Sequence, residues 1–132
     1  MPSPLEPFVD LTNEQRALIE AFERDGDLCK TFYLIGGTLL KALGIVPRIS
    51  NDLDFFSFPG IHPREFFSQQ KRFHVLLTGI FGNDGVEATQ SGFLHRTSGM
   101  VVDMVADDTN LIGDFVSFGN LKTASIEDCT AN

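Results

Sequence analysis

The chain lacks tryptophan, has a single tyrosine (Tyr33) and carries only two cysteines in 132 residues. Cys29 and Cys129 stand at opposite ends, with no spacing that suggests a zinc site, and they read as lone thiols in a reducing compartment rather than as a disulfide. Bases are scarce: 10 lysines and arginines face 18 aspartates and glutamates, a formal net charge of −8. That balance argues against a broad nucleic-acid-binding surface, which relies on clustered lysine and arginine. It leaves room for a nucleoside triphosphate, which arrives with its own cations, and for a basic partner protein. No apolar run is long enough to span a bilayer. The opening MPSPLEPFVD has neither the basic region nor the apolar stretch of a signal peptide. The expectation is no membrane partner and a cytoplasmic location. Repeats, linkers and low-complexity tracts are also missing.

What the chain has in quantity is phenylalanine, 13 residues within a hydrophobic fraction of 42%. That is enough apolar material for the core of one domain, expected to span 1–132. Residues 1–11 are rich in proline and read as extended. A helix is predicted over Thr12–Arg24, with Thr12 and Gln15 as a capping box and Ala17, Leu18, Ala21 and Phe22 as its apolar stripe. Asp25-Gly26-Asp27 is expected to end it. Strands are expected at Lys30–Ile35, Asp52–Phe56, Val86–Gln90, Phe93–Thr97, Met100–Val105 and Val116–Phe118. Helices are expected at Thr38–Leu43, at Glu65–Leu77 behind Pro63, and from about Ser125. The order predicts an α/β fold, a mixed β-sheet with helices packed on it.

The chemistry concentrates between Phe32 and Phe58, FYLIGGTLLKALGIVPRISNDLDFFSF. An apolar strand runs into Gly36-Gly37, and a helix follows. A glycine pair before a helix start lets a phosphate approach backbone N–H groups. Thr38 is placed to cap that helix or to touch the phosphate. Arg48 either steers triphosphate charge or solvates a loop, and Ser50 either bonds phosphate or caps the strand entry. Alternation along the next strand turns Asp52 and Asp54 to one face and Leu53 and Phe55 to the other. Side-by-side carboxylates repel unless a cation lies between them, and oxygen ligands of this kind suit Mg²⁺ or Mn²⁺. Asp103, the one charge in MVVDMV, is costly in an apolar strand unless paired or coordinated. Beside Asp52 and Asp54 it would complete a three-carboxylate cluster; the alternative is an ion pair with Arg96 or another base.

Gly36-Gly37-Thr38, a helix, then Arg48, Ser50, Asp52, Leu53, Asp54, Phe55 and Phe56, and later Asp103 within an apolar strand, resemble the AbiEii/AbiGii-type nucleotidyltransferase toxins of the DNA polymerase beta-like superfamily. The segment TASIEDCTAN is similar to the stretch that opens a helix in that family. The resemblance implies a nucleotidyltransferase fold and a metal-dependent transfer of a nucleoside monophosphate from an NTP to an RNA or protein hydroxyl. It implies a toxin role with a cognate antitoxin protein as partner. Asp52, Asp54 and Asp103 would be the catalytic carboxylates and ligands of Mg²⁺ (or Mn²⁺), with Gly36, Gly37, Thr38, Arg48 and Ser50 toward the nucleotide. The family's further C-terminal helical part does not follow in this sequence, which motivates an alternative: a non-catalytic nucleotide- or partner-binding module. A phosphoryl-accepting aspartate, as in haloacid-dehalogenase-type phosphatases, leaves Gly36-Gly37 unexplained.

Overall fold

A computed structural model of the chain describes residues 3–36, 39, 43–44, 52–106 and 114–125. Helix α1 (Asn13–Arg24) starts at the expected capping box. The Thr12 hydroxyl accepts from the Gln15 amide at 3.1 Å, and the Gln15 side chain accepts from the Thr12 amide at 3.1 Å. These bonds satisfy two backbone donors that the helix start would otherwise leave without a partner. The proline-rich leader ahead of it is more than an extended arm. Leu5 and Phe8 are buried at 2% and 1% exposure, and Arg16 donates to the Phe8 carbonyl at 2.7 Å.

Asp25-Gly26-Asp27 ends α1 and at once begins a second helix, α2 (Gly26–Thr31), so the following strand is shorter than expected: β1 is Phe32–Ile35, and Lys30 and Thr31 are helical. Asp25 is the cause. Its amide closes α1 onto the Phe22 carbonyl, and its carboxylate accepts from the Leu28 amide at 3.1 Å as the cap of α2. It also takes Arg72 Nε at 3.0 Å, which ties the junction to helix α3 (Pro63–Phe81). That helix opens with Pro63 in its first turn, as expected, and runs past Leu77 to Phe81. His62 caps it through Nδ1, which accepts from the Arg64 amide, and Gly82 ends it. A 3₁₀ turn at Asn83–Gly85 follows. Of the predicted 38–43 helix, Leu39 is buried and its carbonyl accepts from Leu43 N at 3.0 Å. The remainder of that segment, and the helix expected after Ser125, lie outside the described residues.

The sheet has seven strands in the order β3-β4-β5-β2-β1-β7-β6. These are β1, then β2 (Asp52–Ser57), β3 (Val86–Ala88), β4 (Gly92–His95), β5 (Met100–Val105), β6 (Val116–Phe118) and β7 (Leu121–Thr123). β2 runs parallel to β5, and β1 parallel to β7; the other pairs are antiparallel. The mixed sheet with helices packed on it is therefore present. Sequence reading found β6 but missed β7, whose three residues are too few to reveal a period although Leu121 and Thr123 are buried on either side of exposed Lys122. The expected strand at 86–90 ends at Ala88, where Thr89 N turns back onto the Gly92 carbonyl at 2.9 Å, and that at 93–97 becomes Gly92–His95, closed by Gly99 N on the His95 carbonyl at 2.8 Å.

Phenylalanines carry both faces. On the helix side Phe22 of α1 meets Phe55 of β2 at 4.8 Å, and Phe73 of α3 meets Phe55 at 5.3 Å. On the other side Tyr33 gathers Phe56, Phe58 and Phe115 at 6.1, 5.1 and 4.8 Å. Offset and edge-on ring contacts of this kind add to plain area burial. Among the described residues no helix is long and apolar enough to cross a membrane.

Cys29 is sealed into α2, and its thiol donates to the Phe22 carbonyl at 3.1 Å. Burial pushes that thiol up from 9.0 to about 12; Glu23 and Asp25 add to the shift and Lys122 opposes it. The folded chain thus keeps a proton that the unfolded chain releases first. This contribution to stability is complete below pH 9.0 and is lost as the pH rises toward about 12. Urea midpoints followed through that window should fall more steeply for the wild type than for Cys29→Ala. Parallel slopes would show that the thiol is not the group responsible.

Candidate active site

The site grows out of one strand pairing. β2 and β5 lie side by side in parallel, with Asp54 opposite Asp103, Leu53 opposite Val102 and Phe55 opposite Met104. Parallel partners point to the same face, so Leu53, Phe55, Val102 and Met104 enter the helix-side core while Asp54 and Asp103 leave by the other side. Exposure agrees: Leu53 and Phe55 are at 1% and 0%, whereas Asp54 and Asp103 are half-buried. Asp52 shares their face at the exposed mouth of β2, level with Val101 and one pleat away from the pair.

A glycine lies close to each of the two acids. Ile35 is the antiparallel partner of Asp54, and Gly36 follows it with φ +104°. A Cβ built at Gly36 would stand 2.5 Å from Asp54 Oδ2. The glycine is thus required by the conformation and by the carboxylate lying over it, a reason separate from any approach of a phosphate. Across the sheet, Gly92 of β4 is the partner of Asp103, and a Cβ there would run into the Val102 carbonyl. Ser91, just before it, donates to Asp103 Oδ1 at 2.7 Å. In the sequence, Ser91-Gly92 stands between two expected strands. The available signal was a glycine at the edge of a strand pattern, a mark of close backbone approach.

Arg96, one alternative partner for Asp103, lies 3.5 Å from Glu87, and Asp103 accepts from the Ser91 hydroxyl. Gly37, Thr38, Arg48 and Ser50 lie outside the described residues. The histidines have structural surroundings. His62 caps α3, His74 stacks on Phe93 at 5.1 Å, and His95 bonds Ser98 Oγ at 2.7 Å. Lys122 lies on β7 and lines a cleft of about 510 Å³ with Lys30, Phe58 and Phe115. That cleft, and another of about 570 Å³ beside Asp25 and Arg72, contain none of Asp52, Asp54 and Asp103.

Among the described residues no group of three or more His, Cys, Asp or Glu side chains is gathered closely enough to hold a metal ion by itself. The donor set still suits a hard cation. Mg²⁺ is commonly held by one or two carboxylates together with substrate phosphates rather than by an all-protein cage. Asp54 and Asp103, adjacent and facing one way, match that requirement, and Ser91 fixes one of the four carboxylate oxygens.

A mixed α/β sheet flanked by helices, with carboxylates on its central parallel strands, is the arrangement of a nucleotidyltransferase-like domain. The family model described as nucleotidyl transferase AbiEii toxin, Type IV TA system, matches residues 18–111, and the chain belongs to that family. The matched span includes the glycine pair and all three aspartates. No match is found among curated proteins or among solved structures.

Replacing Gly36 tests how closely the acid is held. Gly36→Ala should cost about 1–3 kcal/mol in urea unfolding from its backbone conformation alone. It should also displace the Asp54 carboxylate and weaken any cation bound there. A variant as stable as wild type, with unchanged Mn²⁺ binding, would show that the close approach has no consequence.

Proposed function

We propose that the chain transfers a nucleoside monophosphate from an NTP to a hydroxyl of RNA or protein, as the toxin of a toxin–antitoxin pair. The observation that carries this reading is the in-register pairing of Asp54 with Asp103, beside a glycine that leaves room for the acid. Membership of the AbiEii family supports the reaction class.

In this reading Asp54 and Asp103 would hold Mg²⁺ (or Mn²⁺), with Asp52 at the strand mouth as a further oxygen donor. The cation, when bound, neutralises charge on the triphosphate and stabilises the oxygens that enter and leave at phosphorus. Amides of Gly36, Gly37 and Thr38, with Arg48 and Ser50, bind the phosphates and orient the α-phosphorus toward the acceptor. Asp103 accepts the proton of the acceptor hydroxyl. The acceptor oxygen bonds to the α-phosphorus, the bond to the bridging oxygen breaks, and pyrophosphate leaves. The net charge of −8 makes a long nucleic-acid footprint a poor fit, so an RNA acceptor would be met at one end or loop. A cognate antitoxin protein is the partner this role calls for.

The test is titration calorimetry of each NTP with Mg²⁺ on wild type, Asp52→Asn and Asp54→Asn, alongside transfer from labelled NTP. Binding should need both the metal and the two acids. Asp54→Asn should lower transfer by about 100-fold or more, the scale seen when one charge-stabilising group is removed. Wild-type turnover in Asp54→Asn would rule the mechanism out. Metal-dependent binding without any transfer product would favour a non-catalytic nucleotide- or partner-binding module.

A further inference from the structure

We infer that Ser91 is the positioning residue for Asp103, presetting that carboxylate for a divalent cation; the inference rests on the nucleotidyltransferase reading above. The hydroxyl donates to Asp103 Oδ1 at 2.7 Å, a short contact of the kind made to a charged acceptor. Among the described residues this is the side-chain hydrogen bond made to Asp103, and it engages one of the two carboxylate oxygens.

Three features hold the serine where it is. The Met104 amide donates to the Ser91 carbonyl at 2.8 Å, which fastens the serine's own backbone to the residue after Asp103. Gly92 presses against the Val102 carbonyl in a space no other residue fits. The Thr89 amide closes the turn on the Gly92 carbonyl at 2.9 Å. The β3–β4 turn is therefore bound to β5 by main chain on both sides of the aspartate. The backbone that carries the serine hydroxyl is thereby held beside the aspartate, although Ser91 itself is exposed.

A half-buried aspartate rotates freely about its side-chain bonds unless something orients it, and ordering it on binding weakens the ligand. A hydrogen bond already in place removes that cost. Groups that orient metal ligands in this way typically change metal affinity or activity by about 10–100-fold when removed. Ser91 thus acts on the cation only through Asp103.

The experiment follows the free Mn²⁺ electron paramagnetic resonance signal during titration of wild type, Ser91→Ala, Ser91→Thr and Asp103→Asn. Thermal unfolding of each variant is recorded beside it. Ser91→Ala should bind Mn²⁺ about 10-fold more weakly with an unchanged unfolding midpoint. Its transfer rate should recover at saturating Mn²⁺, a rise in the metal's apparent KM with little change in kcat. Ser91→Thr, which keeps the hydroxyl, should bind as wild type does. If Asp103→Asn loses Mn²⁺ while Ser91→Ala matches wild type, the positioning role is overturned and the metal site stands. If Asp103→Asn binds Mn²⁺ as wild type does, Asp103 is not a ligand, and both the role of Ser91 and the metal reading fall.

Discussion

The register between β2 and β5 is the constraint on which the rest of this molecule depends. Alternation has a period of two, so a slip of one residue would turn Leu53 and Phe55 outward and drive Asp52 and Asp54 into a core built from Phe22 and Phe73. Burying unpaired carboxylates among phenylalanines costs several kcal/mol or more, so the hydrophobic pattern and the acids enforce the same alignment. The aromatic packing that stabilises the domain therefore also fixes which acids lie together. Core and candidate site are two faces of one pairing.

Glycines then determine how closely the backbone can approach those acids. Gly36 on one side and Gly92 on the other occupy positions where a single added carbon meets Asp54 or the backbone beside Asp103. The first is also required by its positive φ, the second by contact alone. Such positions restrict drift of the sequence at sites that carry no chemistry themselves. The main chain beside each acid is thus shaped by a glycine.

Much of this was readable from residue order. Thr12 and Gln15 announced the start of α1 because a capping box is a local device whose two partners lie three residues apart. Asp52, Asp54 and Asp103 stood out because a charge in an apolar strand conflicts with its surroundings, and such conflicts mark sites. What stayed hidden depends on distant contacts. Asp25 reads as a helix stop until its carboxylate is seen capping α2 and holding Arg72 of α3. β7 has three residues and becomes a strand only because β1 and β6 lie on either side of it. Ser91 is an ordinary turn serine in the sequence, and its bond to Asp103 exists only once β4 has folded beside β5.

The parallel pairing of Leu34 with Thr123 has a further consequence for how the chain folds during synthesis. β1 is made early, and its neighbour on one side arrives only after β2 to β6 have been translated. Until then one edge of β1 offers bare N–H and C=O groups beside apolar side chains, the kind of edge that recruits other chains. Closing so large a loop is also slow, because its entropy is lost before the contact forms. The β6–β7 hairpin therefore covers that edge, and a chain in which it has not docked would leave β1 open to pairing with another chain.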